Sequence, residues 1–116
     1  MFIATIVVTV LMAALAALSG VLKFNPESTA VKGITALDVP GSWMPRLGAA
    51  EIAGALGVLI GLAVAPLGVA AAAGLVVYFA CAIGAHVRAN DTAGIKNPAL
   101  PLVVAIATLV LRIAAL

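Results

Sequence analysis

Between Glu51 and His86 the chain runs for 34 residues without a charged side chain. As one α-helix this stretch would extend about 50 Å, well beyond the roughly 30 Å of a bilayer core. Pro66-Leu67-Gly68 sits near its middle, and proline inside a helix removes a backbone donor and clashes with the preceding turn. The stretch therefore divides into a hairpin, predicted as helices over about 45–65 and 67–87. The turn between them is so short that the two arms must be antiparallel neighbours.

Two further spans flank the hairpin. Residues 2–22 carry no charge and end at Lys23, which again gives about 30 Å of helix. The run closes on small residues like a secretory signal, but no basic flank precedes it, so it is read as a membrane helix that stays. Residues 88–97 turn polar, and Pro98 and Pro101 suit the first turn of a helix predicted over about 98–115. Composition agrees: 66% of the 116 residues are hydrophobic and 9% charged. That is too little polar surface for a soluble domain, whereas lipid accepts an apolar exterior. The expected fold is all-α, one polytopic domain over residues 1–116, a four-transmembrane-helix bundle in the cell membrane.

Loop one is the only long polar connection. Asn25-Pro26-Glu27-Ser28 reads as a helix start, with Asn25 as cap and Pro26 at the first position. Val31, Ile34 and Leu37 then recur at helical spacing, predicting a short interfacial helix that Asp38-Val39-Pro40-Gly41 breaks. Trp43 suits the aromatic belt. Lys23, Lys32, Arg46, Arg88 and Lys96 all fall on the side of loops one and three, and Arg112 on the other. The positive-inside rule then places both loops in the cytoplasm and both termini outside. The net charge of +2 is too small and scattered for nucleic acid. The single cysteine, Cys81, gives neither an internal disulfide nor a dithiol centre, and no metal site is expected.

Packing signals are strong. Ala50, Gly54, Gly57 and Gly61 fall in a stripe roughly 60° wide on the second span, suited to close helix approach or to dimerisation. Thr5, Thr9, Met12, Ala16, Ser19 and Lys23 share one face of the first, expected to point inward. Their hydroxyls either bond their own backbone or wall a polar cavity.

The titratable groups gather at one end. Lys23 closes the first span, Glu51 lies ~9 Å into the second, and His86 ends the third, all on the side of loops one and three. A lone carboxylate in hydrocarbon is costly, so Glu51 is expected to pair with Lys23 and His86. The pairing either fixes helix register or forms a titrating, ligand-binding pocket. Ser19, Phe79 and Tyr78 border it. Arg88, about 200° around the helix from His86, is expected to snorkel to headgroups. Cys81 is expected as a buried small residue, and Arg112 as a lipid-phosphate contact.

Leu22-Lys23-Phe24, Ala36-Leu37-Asp38-Val39-Pro40, Pro45 to Ala55, and Ala82 to Arg88 follow one another over nearly the whole chain. In these pieces, in their order and spacing, the chain resembles the DoxX-like membrane proteins. Asp38 departs from the family pattern, which tends to have Gly there. The resemblance implies the four-helix fold, the same Lys, Glu and His positions, and links to quinone-coupled sulfur oxidation or redox-defence assemblies.

Three functions follow. The favoured one is a non-catalytic subunit or anchor of a redox-related membrane assembly, without a cofactor of its own but in contact with quinone or lipid. It predicts a redox-protein partner and little open space around Glu51. The second is a lipophile binder or proton-coupled transporter, working as a homo-oligomer. The third is a small membrane enzyme with Glu51 and His86 as acid and base, which needs an open pocket joining both.

Overall fold

A computed structural model describes residues 2–116. Its α-helices are α1 (Phe2–Leu22), α2 (Thr29–Thr35), α3 (Met44–Ile60), α4 (Ala65–Arg88) and α5 (Lys96–Ala114). Single 3-10 turns, Gly41–Trp43 and Ala93–Ile95, lead into α3 and α5. With those turns, four segments among the described residues are long and apolar enough to cross a membrane. In each span at most 28% of the most apolar window is buried inside the protein. Ile3, Val7, Leu18, Val77 and Val103 all point outward, an exterior that only lipid solvates without penalty. The longest dimension, 40 Å, matches a bilayer with its headgroup layers.

The four spans form a ring in which α1 packs on α3 and α5, and α4 on α3 and α5. The interior is narrow: Met12, Ala16, Ala55, Val58, Ala72, Leu75, Phe79 and Ala105 meet at its centre. Small residues set the spacing. A Cβ on Gly57 would stand 2.7 Å from that of Ala71, and one on Gly54 would strike Leu75. The glycine stripe of α3 is therefore covered by α4, and Ala50 lies outside it, exposed. The tightest crossing of α1 and α3 is glycine on glycine. A Cβ on Gly48 would lie 2.6 Å from the Gly20 carbonyl oxygen, and one on Gly20 2.8 Å from that of Gly48.

Element boundaries differ from expectation for local reasons. The second span stops at Ile60 rather than 65 because a continuous helix would drive the Pro66 ring into the Leu62 carbonyl. Val64 instead turns extended (φ −122°, ψ 91°), and α4 starts at Ala65. Asn25 does not cap α2. Its Oδ1 accepts the Glu27 N–H (3.0 Å), a local turn that uses up the side chain. Ser28 is the cap instead, its Oγ accepting from Val31 N (3.2 Å) and donating to the Leu22 carbonyl (3.0 Å). Pro101 lies inside α5, beyond its first turn, where it leaves the Asn97 carbonyl without its helical donor. Asp38 sits at φ 64°, the left-handed region that suits glycine; aspartate tolerates it better than most side chains.

Candidate functional site

The glycine crossing explains how a lysine and a glutamate from antiparallel helices meet. Lys23 lies three residues beyond Gly20 and Glu51 three beyond Gly48, so their Cα atoms are offset in opposite directions from the crossing. Helical side chains lean toward their own N-terminus, and here both lean back toward the same level. Lys23 is 6% exposed and Glu51 fully buried. The Lys23 ammonium pairs with Glu51 Oε1 and also donates to Ser19 Oγ (2.8 Å) and the Ser19 carbonyl (3.5 Å). From α4, the Tyr78 hydroxyl donates to the same Glu51 oxygen (2.9 Å), and the ammonium lies 5.8 Å from the Tyr78 ring centroid, a cation–π distance. Glu51 Oε2 and Thr9 Oγ1 are buried without a hydrogen-bond partner among the described residues.

His86 does not join this cluster. Its Nδ1 lies 2.9 Å from Asp91 Oδ2. The Asp91 N–H donates to the His86 carbonyl (2.9 Å), and Asp91 Oδ1 accepts from Gly94 N (3.1 Å). This closed loop works because Asn90 takes a left-handed φ of 58° and folds the chain back over the helix end. Of the two partners expected for Glu51, the structure brings Lys23 and replaces His86 with Tyr78. Asp91 was missed as a site residue, although Asn90-Asp91 just past a helix end is a turn signal. Gly20 and Gly48 were missed because their pairing spans two helices and has no local spacing.

The two polar groups share one groove. It lies between the C-terminal half of α1, loop one, the last turns of α4 and the start of α5, and encloses about 1010 Å³. Leu18, Leu22, Phe79 and Pro101 contribute apolar wall, while Ser19, Lys23, Tyr78, His86 and Asp91, with Arg88 and Asn97, contribute polar groups. Glu51 is not on the wall; it stands behind Lys23 and Tyr78. The half-exposed Trp43 also lines the groove.

Cys81 differs from expectation, and the structure gives Arg88 and Arg112 protein partners. Cys81 is exposed rather than buried and borders the groove. Arg88 is exposed and donates from Nη2 to the Leu37 carbonyl (3.4 Å), tying loop one to the end of α4. Arg112 is 7% exposed and turns into the bundle, because Gly61 and Gly68 leave room for its guanidinium between α3 and α4.

A ring of four apolar spans with a buried ion pair and a polar-ended groove at one end defines a small multi-pass membrane protein. The DoxX-like family model matches residues 7–110, which cover Lys23, Glu51, Tyr78, His86 and Asp91 alike, and the chain belongs to the DoxX-like family. No curated protein and no solved structure matches it.

Proposed function

We propose that this protein binds a lipophile with a hydroxylated head in the groove between α1 and α4, as a non-catalytic component of the membrane. The observation that carries the reading is an apolar groove of about 1010 Å³, the upper range of small-molecule sites, ending on side chains whose bonding is only partly used. The three ammonium protons of Lys23 are committed to Glu51 and Ser19, so Lys23 and Glu51 act as a fixed floor. Beside Tyr78 and His86 the atoms left over are acceptors, while Arg88 and Asn97, which also line the groove, carry donors. A carboxylate can only accept, so the contact with Asp91 puts a proton on His86 Nδ1, and the tautomer with that proton alone carries a lone pair on Nε2. The Tyr78 oxygen donates its proton to Glu51 and retains acceptor capacity. Two acceptors beside an apolar wall favour a head that donates O–H.

Family membership supports placing this binder as a subunit or anchor of a redox-related assembly, where a hydroquinone would be the redox-active form of such a lipophile. The acid–base reading loses support, since Glu51 is shut off from the groove and His86 is engaged by Asp91. The charge pattern supports an orientation with the groove end in the cytoplasm.

Trp43 is the chain's single tryptophan and lines the groove, so it reports occupancy. A short-tailed hydroquinone added to the purified protein in mild detergent is expected to quench Trp43 saturably. Its dimethyl ether, which lacks both donors, should bind roughly tenfold more weakly. Non-saturable quenching, or equal binding of the ether, rejects the proposal.

A further inference from the structure

The opposite end of the bundle holds a cation that has no ion pair among the described residues. Arg112, in the last turn of α5, is 7% exposed, and a guanidinium keeps its proton in any protein setting. Among the described residues it makes one hydrogen bond, from Nη2 to the Val58 carbonyl (3.3 Å), while its Nε is buried without a partner. The chain has four carboxylate side chains, none near enough to serve it. Glu27 pairs with Lys32, Glu51 with Lys23 and Asp91 with His86, and Asp38 lies in loop one at the far end. Glu51 is seven residues from Val58, about 10 Å along α3.

The fold builds room for this arginine. A Cβ on Gly68 would stand 2.6 Å from Nη2 and 3.0 Å from Cζ and Nε, and one on Gly61 2.9 Å from Nη2. Beside the guanidinium lies a pocket of about 530 Å³, to which Thr5, Ala63, Ala65 and Arg112 contribute. Ala65, which opens α4, stands at its mouth, and the cap residue Val64 makes no side-chain cap hydrogen bond.

We propose that this pocket is an oxyanion site for a phosphate group, with Arg112 as its anchoring donor. A buried charge must be neutralised, no acidic group among the described residues pairs with this one, and the planar fork of guanidinium N–H groups matches phosphate oxygens. Arg112 stands two residues before the end of α5, ~3 Å along the axis, at the level of headgroups. The phosphate therefore comes either from a phospholipid or from solution. The inference does not depend on the groove at the other end.

The test uses the full chain in neutral maltoside detergent. Inorganic phosphate is titrated with Tm as readout, and phosphatidylglycerol is added separately and counted by native mass spectrometry. The expected result is a saturable Tm rise with phosphate, or one phosphatidylglycerol retained that phosphate does not displace. The first marks a free anion as ligand, the second a headgroup. Either response should weaken roughly tenfold in Arg112→Lys, which keeps the charge but loses the fork, and disappear in Arg112→Gln. If Arg112→Gln does not fold, Arg112→Lys decides. No response from the wild type, or an undiminished one in Arg112→Lys, overturns the site.

Discussion

Replacing Lys23 with methionine removes one charge of the buried pair while nearly keeping its volume. The Lys23 side chain is 5% exposed and that of Glu51 0%, so the glutamate left behind can reach neither water nor headgroups. Removing one member of a buried ion pair costs about 3–5 kcal/mol, because the survivor stays desolvated and uncompensated. Tyr78 still donates to Glu51, which places Lys23→Met toward the lower part of that range. Lys23→Met/Glu51→Gln removes both charges, and the amide oxygen that replaces the carboxylate can still accept from Tyr78. The double variant should recover most of the loss, ending within ~1–2 kcal/mol of wild type. The coupling energy from the cycle should then be roughly 2 kcal/mol or more. Unfolding in mixed micelles by a rising mole fraction of dodecyl sulfate, followed by far-UV circular dichroism, measures all four corners. A Lys23→Met cost below ~1 kcal/mol, in the range of exposed pairs, would show the pair to be hydrated and refute the buried-floor reasoning. Additive single substitutions would refute it equally.

The same unfolding assay checks two backbone predictions. Gly48→Ala should cost about 1–3 kcal/mol, because its Cβ would meet the Gly20 carbonyl oxygen at 2.6 Å and a main-chain atom cannot rotate away. Gly74→Ala, with nothing within 4 Å of its Cβ, should be neutral or stabilise by roughly 0.5–1 kcal/mol. At the φ of 64° held by Asp38, Asp38→Gly should leave stability unchanged or improved and Asp38→Val should cost about 1–2 kcal/mol. Equal unfolding free energies for the last two would show that the loop-one turn relaxes.

The spans were legible because membrane helices announce themselves by an absence of charge. Lys23, His86 and Arg88 mark ends that the structure keeps to within a few residues. The meeting of Lys23 with Glu51 was legible too, since two long side chains at the same end of antiparallel neighbours have few other partners. The partner of His86 was not, because a charged residue past the helix end reads as a surface group until the left-handed Asn90 turns the chain back. The depth of Arg112 was hidden for a related reason. Near a helix end, a long cationic side chain can reach outward to headgroups as easily as inward. What decides is Gly61 and Gly68 on two other helices, a property of the assembled ring and of no local segment. Ser28 displaced Asn25 as the cap of α2 on a similar contest, with the Asn25 side chain taken by the nearer Glu27 N–H.

The interior of this protein is, side chain for side chain, more polar than its exterior. Thr5, Thr9, Lys23, Glu51, His86, Thr108 and Arg112 are buried, while Val7, Leu18, Val77, Val103 and Val110 face out. In water such an arrangement would not fold. In lipid, apolar contact between helices gains little over contact with acyl chains, so close backbone approach and polar pairing must hold the ring together. The glycine crossing of α1 and α3 supplies the first and the Lys23–Glu51–Tyr78 cluster the second, at the same level of the bundle. A groove that opens beside this cluster therefore rests on the most tightly fixed part of the fold. Any head bound there would meet a preset floor, and its affinity should depend on the uncommitted atoms of Tyr78 and His86 more than on rearrangement of the helices.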